Sequence, residues 1–253
     1  DFPQLVVCSI TGFGQTGPYA HRAGYDYIVQ AMSGFMSLTG EPDGPPQKAG
    51  IAYADIFTGM YSTVAILAAL RRRDAIGTGA HIDMALLDSQ VAVLANQAAN
   101  YLASGVAPKR MGNAHVNVVP YQVFATADGQ LVIAVGNDGQ YRKLCAILGV
   151  PEWADDPRFV NNAARLANRA ALIPLLAAKI AAWDAQPLAL ALEADGVPAG
   201  PINDLAGVFA DPQIIARGMR FRPDCASIDG VASPIVIDGE RMVAPTGAPP
   251  LAG

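Results

Sequence analysis

The stretch QLVVCSITGFGQTGP, residues 4–18, joins an apolar run to a glycine-rich segment. Its apolar half is short, uncharged and rich in β-branched residues, which predicts a buried strand. Gly12, Gly14 and Gly17 then have the G-x-G-x-x-G spacing of dinucleotide-binding loops. However, Pro18 follows the third glycine, and no second strand ends in an acidic residue at a suitable distance. The stretch therefore predicts a tight loop at the carboxyl end of a strand and argues against a dinucleotide site.

Helical and strand-like patterns alternate after this loop. Apolar spacing predicts helices over residues 25–36, 55–70 and 86–102, and a short strand over 81–85. In the second helix, Asp55 stands at the favourable N-terminal end. The apolar residues of that helix that fall on one face are Ile56, Met60, Val64 and Leu67. The alternation predicts the α/β class.

The pattern changes after Pro120. Two strand-like segments flank the hairpin signal Asp128-Gly129, and Ala- and Leu-rich helical sequence follows. We therefore predict a large α/β domain over residues 1–120, a smaller α+β domain over 121–218, and the return of 219–253 to the large domain.

Composition excludes several classes of function. The 253 residues are 52% hydrophobic and 15% charged, with a net charge of −5, which argues against a nucleic-acid surface. The three cysteines are far apart, which indicates a reduced, cytoplasmic protein. The longest uncharged apolar run, 56–70, is shorter than the roughly 20 residues of a membrane span, so no membrane partner is predicted. The three histidines are too scattered to predict a metal site.

The most distinctive carboxylate is Asp88. It lies between Leu86-Leu87 and an apolar segment, where the predicted strand gives way to a helix. One interpretation is an N-cap that accepts backbone N–H bonds. The other is a functional anion, since a carboxylate that is partly desolvated and free of cations can act as a covalent nucleophile. Asp26 has the same ambiguity.

Five segments in order resemble the class III CoA-transferase family, of the CaiB/BaiF type. They are SITGFGQTGPYAHRAGYDYIVQAMSGFMSLTGEPDGPP (9–46), ADIFTGMYSTVAILAAL (54–70), HIDMALLDSQVAVLANQ (81–97), RMGNAHVNVVPYQVFATADG (110–129) and GVPAGPINDLAGVFADPQ (196–213). The wording of the motifs is especially similar to the succinyl-CoA:dicarboxylate CoA-transferase branch. The resemblance implies a Rossmann-like parallel sheet in the large domain and an interlocked homodimer.

The resemblance also implies a chemistry, with the family's nucleophile falling on Asp88. Its carboxylate attacks the thioester of an acyl-CoA to give a mixed anhydride, and the CoA thiolate then attacks the aspartyl carbonyl to give an aspartyl-CoA thioester. An incoming carboxylate, here predicted to be a dicarboxylate, reverses these steps. Coenzyme A thioester is therefore a substrate, and no tightly bound cofactor is expected.

Two alternatives stay open at this point. The first is a 2-methylacyl-CoA racemase of the same family, but those members have a histidine where this chain has Tyr25. A phenol with a pKa near 10 is a poor base at neutral pH, which favours the transferase. The second alternative is a non-catalytic remnant, because the resemblance does not include the N-terminal section and the C-terminal helix that members of the family have.

Further site residues are implied by position. Asp26 matches the acid that the family places beside its nucleophile, and Gly112 and Asn113 match its glycine-containing active-site loop. Arg22 and Gly24 match positions along the CoA groove, and Tyr25, which follows them, is expected to contact substrate or CoA as well.

Two more residues are predicted from their chemistry. Arg110 or His115 could bind the distal carboxylate of a dicarboxylic substrate, because arginine forms bidentate contacts with carboxylates. The alternatives are a solvated loop charge for Arg110 and a hydrogen-bonded loop histidine for His115.

Overall fold

The structure is a computed structural model that describes residues 2–224 and 226–247. Its contacts divide the chain into two units, Asp1–Gln122 and Val123–Gly253.

The first unit alternates strands and helices. In chain order its elements are β1 (Val6–Thr11), α1 (Asp26–Met32), α2 (Phe35–Leu38), α3 (Tyr53–Ile76), β2 (Ala80–Ala85), α4 (Leu86–Ala92) and α5 (Ala95–Ser104). β1 and β2 pair in parallel, from Val6 opposite Ala80 to Thr11 opposite Ala85. The predicted α/β class with a parallel sheet is confirmed, and α3 is the helix that connects the two strands.

Helix α3 buries a different face from the one that its apolar residues suggested. Its buried residues are small: Ala54, Thr58, Ser62 and Ala69. The large apolar residues Ile56, Met60, Val64 and Leu67 are all exposed. Small side chains let α3 pack closely against β1, β2 and α4. The predicted apolar stripe exists, but it lies on the outer face of this unit.

The helix predicted over 86–102 is broken into α4 and α5. The break falls after Ala92, and α5 begins at Ala95, whose φ of 48° is unusual for a residue other than glycine. Such a conformation costs of order 1–3 kcal/mol, so the surrounding packing must hold it. Apolar spacing alone cannot report a break of this kind, because both halves keep the helical period.

The second unit combines helices with antiparallel strands. Its elements are β3 (Tyr121–Ala125, which begins in the last residues of the first unit), β4 (Gln130–Ala134), α6 (Asp138–Ile147), a 3₁₀ turn (Pro151–Ala154), α7 (Asn162–Ala167), α8 (Arg169–Ile180), α9 (Ala185–Ala194), β5 (Ala199–Pro201), α10 (Leu205–Ala210), α11 (Pro212–Ala216), β6 (Arg220–Phe221), β7 (Gly230–Val231), β8 (Val236–Ile237) and β9 (Glu240–Arg241). β4 lies between β3 and β5 in one sheet.

The core of the second unit is large and apolar. Its fully buried side chains include Leu131, Ile133, Leu144, Leu172, Leu176, Ile180, Leu188 and Leu192. One fully buried charge lies among them: the Arg165 guanidinium donates to Asp138 at 2.8 Å and to the Phe159 carbonyl at 3.1 Å. It also stacks on Tyr141, 4.4 Å from the ring centre.

The predicted domain scheme, with a smaller domain over 121–218 and 219–253 returning to the large one, stays a prediction. Residues 248–253 of that last segment lie outside the described residues. Within the described chain, α3 is long and apolar enough to cross a bilayer by length and composition alone, and helices α8 and α9 pass the same test only as a bent pair. Core helices of soluble proteins pass this test too.

Candidate active site

The carboxyl ends of β1 and β2 meet at one edge of the parallel sheet. There the Leu87 amide donates to the Gly12 carbonyl at 3.1 Å, which ties the start of α4 to the end of β1. The segment 12–24 leaves this edge and returns to it as a closed loop. A Cβ on Gly12 would lie 2.5 Å from the Gly24 Cα, so only glycines allow this approach. The glycine at 24, predicted to line a CoA groove, thus also has a steric role in closing the loop.

Two side chains hold the loop in place. The Thr11 hydroxyl oxygen accepts from the Gly14 amide at 2.8 Å, and the Asp83 carboxylate accepts from the Gln15 amide at 3.0 and 3.1 Å. Gly14 and Gly17 have φ values of 88° and 84°, which favour glycine. The predicted tight loop is confirmed. Asp83 is a contact that the sequence analysis missed.

Arg22 lies at the end of this loop, against two aromatic rings. Its guanidinium carbon is 4.5 Å from the Tyr19 ring centre and 5.4 Å from that of Phe13. The two rings meet edge to face. The stack fixes the direction of an exposed cation.

Asp26 links α1 to the start of α3. One carboxylate oxygen accepts from the Ala54 amide at 2.8 Å, and the other accepts from the side-chain amide of Gln30 at 2.7 Å. Gln30 is fully buried, and its own oxygen accepts from the Ala49 amide at 2.8 Å. Tyr25, just before Asp26, is the N-cap residue of α1 and is 75% exposed. Asp26 therefore caps α3 from a neighbouring helix.

The acid that Asp26 affects is Asp55, in the first turn of α3. Asp55 is exposed, as Asp88 is, but desolvation by the surrounding atoms and the negative charge of Asp26 together raise its pKa above the ordinary value of 3.8. An aromatic cluster lies beside this turn, with ring centres 5.2 Å apart for Phe35 and Tyr53 and 4.7 Å apart for Tyr53 and Phe57. Asp26, bonded to the Ala54 amide, therefore acts electrostatically on the next residue, Asp55, at the start of the longest helix.

Asp88 lies elsewhere on the unit. It is the third residue of α4, and the N-cap is Ala85, which makes no side-chain capping bond. The interpretation of Asp88 as an N-cap is therefore wrong. Asp88 is exposed, at a cavity of about 210 Å³ that Tyr61 and Asp83 also line. The two oxygens of Asp26 bond to Gln30 and Ala54, and neither of these belongs to α4.

Gly112 and Asn113 form part of a second cavity, of about 260 Å³. The opposite wall comes from residues 38–41 and Gln47. The Gly112 amide donates to the Gly40 carbonyl at 3.1 Å, and its φ is 57°. The predicted glycine-containing loop thus lines a real cavity.

Arg110 and His115 have partners within the first unit. The Arg110 guanidinium donates to the carbonyls of Glu41 at 3.2 Å and Gly44 at 2.7 Å. The His115 ring nitrogen Nδ1 accepts from the Asn117 amide at 3.1 Å, and the ring packs against Tyr121. The predicted contact with a distal carboxylate stays a prediction for both residues. The alternative of a solvated loop charge is wrong for Arg110, whereas His115 is a hydrogen-bonded histidine, as its alternative had it.

Two acids, Asp83 at the sheet edge and Asp55 at the start of α3, were not among the site residues predicted from the sequence. Asp55 was interpreted only as a favourable helix-start residue, and Asp83 was not singled out within the predicted strand at 81–85. A usable signal existed for Asp55, because it is an acid in the first turn of the longest apolar helix. Nothing in the sequence indicates that Asp26, 29 positions earlier, is its neighbour.

Known proteins resemble this chain over its whole length. The sequence profile of CoA-transferase family III matches residues 1–253. A succinate–glutarate CoA-transferase of Agrobacterium fabrum is 58% identical over 93% of this chain and 60% of its own length. A succinyl-CoA:glutarate CoA-transferase of Mus musculus is 42% identical over 99% of this chain and 58% of its own length.

Solved structures agree with these sequence matches. A CaiB/BaiF family protein from Brucella suis has a TM-score of 0.82 and 55% identity over 98% of this chain and 65% of its own length. A hypothetical protein from Mycobacterium tuberculosis has a TM-score of 0.85 and 27% identity over 96% of this chain and 65% of its own length. The chain spans about three-fifths of the length of the curated relatives. On the match to the whole chain and on these identities, it belongs to CoA-transferase family III.

Proposed function

We propose that the protein to which this chain belongs transfers CoA from an acyl-CoA to a dicarboxylate acceptor. The names of the relatives support this, since the one from Agrobacterium fabrum gives succinate and glutarate and the one from Mus musculus gives succinyl-CoA and glutarate. Succinyl-CoA and glutarate are therefore the substrates to try first. The homodimer and the cytoplasmic location predicted from the sequence belong to the same proposal, and size-exclusion chromatography with cell fractionation tests them.

The transfer needs a carboxylate nucleophile on the protein. Its oxygen attacks the thioester carbonyl, the C–S bond breaks, and CoA leaves as a thiolate with a mixed anhydride left behind. The thiolate then attacks the aspartyl carbonyl, which releases the donor acid and stores CoA as an aspartyl thioester. The acceptor carboxylate runs the two steps in reverse. Both intermediates hydrolyse readily, so the site must exclude water.

We propose Asp55 as that nucleophile, in place of the residue predicted from the sequence, Asp88. The observation that carries the proposal is the acid pair: Asp26 caps the first turn of α3, and its charge helps raise the pKa of Asp55. A carboxylate with a raised pKa is a less stabilised anion, and hence a better nucleophile, than an ordinary one. The family's acid beside its nucleophile was expected at Asp26, and its electrostatic partner on this chain is Asp55.

The other predicted residues fit around this pair. The loop from Gly12 to Gly24 ends directly before Tyr25 and Asp26. At its end, no carboxylate among the described residues lies within ion-pair distance of Arg22, so its positive charge is available to a CoA phosphate. Gly112 and Asn113 are proposed to contact substrate from the second cavity.

Trapping the covalent intermediate tests the assignment. The whole protein is incubated with succinyl-CoA, treated with hydroxylamine or borohydride, digested and analysed by mass spectrometry. We expect the label on the peptide that carries Asp55 and none on the one that carries Asp88. Asp55→Asn should lower kcat on the order of 10⁴-fold or more, because a covalent nucleophile is lost.

Asp88→Asn is the matched control, since it removes the same charge from the first turn of another helix in the same unit. A label on Asp88, or an Asp55→Asn enzyme that keeps its activity, overturns the assignment to Asp55. If the whole protein neither transfers CoA nor acquires any label, the proposal that it is a transferase is overturned.

A further inference from the structure

A turn and a short segment of the first unit are joined along one side of the cavity that Gly112 lines. We call residues 39–47 the turn and residues 110–113 the strap. The Gln47 amide donates to the Thr39 carbonyl at 3.0 Å and closes the turn. The bond from the Gly112 amide to the Gly40 carbonyl, at 3.1 Å, joins the strap to the turn. These two hydrogen bonds therefore hold the turn closed and tie the strap to it.

Arg110 spans the inside of the turn. Its Nε donates to the Glu41 carbonyl and its Nη2 to the Gly44 carbonyl, so one guanidinium bridges both ends of the tight bend between them. The packing is close as well, because a Cβ on Gly40 would lie 3.4 Å from the Arg110 Cδ. Hydrogen bonds from a charged donor are about twice as strong as neutral ones. A lysine has no planar fork and cannot make both bonds in this geometry.

The cavity lies between the two pieces that Arg110 connects. One wall is formed by Thr39, Gly40, Glu41 and Gln47 of the turn, and the other by Gly112 and Asn113 of the strap. A shift of the strap relative to the turn changes the width of this cavity directly. We infer that Arg110 is a positioning residue, which holds Gly112 and Asn113 at the distance from the turn that substrate requires. The inference rests on the proposed transferase function.

The same geometry argues against Arg110 as the group that binds the distal carboxylate. Two of its donors already serve backbone carbonyls. In addition, the Glu41 carboxylate lines the same cavity, and its Oε2 would lie 3.0 Å from a Cβ on Gly112. A negative charge at this place repels a second carboxylate. Discrimination between dicarboxylate and monocarboxylate acceptors should therefore not depend on Arg110.

The test compares Arg110→Lys and Arg110→Gln with Lys109→Gln in the whole protein. Lys109 is the neighbouring exposed cation, so its variant removes the same charge without touching the turn. Transfer from succinyl-CoA is measured with glutarate and with valerate, the monocarboxylate of equal chain length. Hydrogen–deuterium exchange is measured at the Gln47 and Gly112 amides.

We expect both Arg110 variants to lower kcat by about 10- to 100-fold with either acceptor, as for a group displaced by a fraction of an ångström to an ångström. The ratio of kcat/KM for glutarate over valerate should stay as in the wild type. Exchange at Gln47 and Gly112 should accelerate together, while Lys109→Gln changes neither readout.

A glutarate preference that falls tenfold or more, with exchange unchanged, makes Arg110 the carboxylate-binding group and overturns the inference. Unchanged rates and unchanged exchange overturn it as well. If the wild-type protein transfers no CoA, the proposed function fails. The exchange of the two amides then still decides whether Arg110 holds the strap, and unchanged exchange rejects it.

Discussion

The two units of this chain use the same kinds of residue in opposite ways. The second unit buries large apolar side chains completely, as at Leu131, Leu144 and Leu176. In the first unit, the cluster of buried apolar residues around α1, α3 and α4 consists of Val29, Ala54 and Leu86. All the candidate site residues belong to the first unit. The unit with the smaller core is thus the one that carries the proposed chemistry.

The carboxylates differ in the same direction. In the second unit, the Ala185 amide lowers the pKa of Asp128, and Arg222 and Arg220 lower that of Asp229. Those groups are held as anions by partners that stabilise the charge. In the first unit, the pKa of Asp55 is raised. A carboxylate whose charge is poorly stabilised is typical of a functional site and has no evident structural purpose.

The first unit also contains buried polar atoms that have no hydrogen-bond partner among the described residues. Gln90 is fully buried on α4, and neither its amide nitrogen nor its amide oxygen has a hydrogen-bond partner among the described residues. The Ser62 hydroxyl of α3 is in the same situation. Each such group costs about 1–3 kcal/mol. Together with the φ of Ala95, these atoms are local costs that the packing of the first unit must offset.

The largest expected difference between the units is in the cost of truncating a leucine. Leu176→Ala empties a fully buried position of α8 and should lower the free energy of unfolding by about 2–5 kcal/mol. Leu67→Ala acts on a residue of α3 that is 61% exposed, and should cost less than about 1 kcal/mol. Urea denaturation measures both, with Trp153 and Trp183 as fluorescent reporters of the second unit and circular dichroism for the whole chain.

Equal costs for the two truncations would break the comparison. They would mean that the outer face of α3, with Ile56, Met60, Val64 and Leu67, is buried in solution by something beyond these residues. The m-value then separates the cases, because a newly buried face increases the surface exposed on unfolding.

The outer face of α3 also shows which features can be predicted from the sequence and which cannot. The strands at 6–11 and 80–85 and the long helix follow from hydrophobic period and β-branched content, because those are local signals. The prediction that the first strand is buried is wrong, because β1 has no buried residue and exposes Val7 and Ile10. The period of α3 identifies an apolar stripe, yet it cannot say which neighbour covers it. That depends on contacts distant in the chain, and here the small residues face inward.

The candidate site was predictable in part for the same reason. The loop at the end of β1 follows from Gly12, Gly14 and Gly17, whose spacing is visible in the sequence. The pairing of Asp26 with Asp55 and the bond of Arg110 to the turn at 39–47 join residues far apart in the chain. No local pattern reports such contacts, so electrostatic and positioning roles emerged only from the fold.

Two glycine substitutions in the first unit should change the free energy of unfolding by smaller amounts and with opposite signs. Gly24→Ala places a Cβ 2.6 Å from the Gly12 Cα, so the loop neck must open, and we expect a loss of about 1–3 kcal/mol. Gly59→Ala is the matched control, because nothing lies within 4 Å of its Cβ position inside α3. It should gain about 1 kcal/mol from helix propensity. Thermal unfolding measures both, and a harmless Gly24→Ala would show that the neck is not closely packed.

The smallest expected effect tests the opposite directions in which the pKa values of Asp55 and Asp128 are shifted. The raised pKa of Asp55 means that the folded chain binds its proton more tightly than the unfolded chain does. Ionisation of Asp55 therefore weakens the fold as pH rises through the range above 3.8, and Asp55→Asn should gain stability relative to wild type between about pH 4 and about pH 7. Desolvation and the charge of Asp26 are the two causes of this shift.

Asp128→Asn should do the reverse. The lowered pKa of Asp128 contributes stability that is present above its ordinary value and is lost as pH falls, so this variant should lose stability relative to wild type at about pH 7 and less at about pH 4. Midpoints of urea unfolding across that range give both signs. If Asp55→Asn also loses stability toward neutral pH, then Asp55 is a stabilised helix-start anion like those of the second unit, and the electrostatic argument for it as the nucleophile fails. If the two variants change stability in opposite directions, then ionised Asp55 destabilises the fold. This is expected of a site residue where function and stability compete.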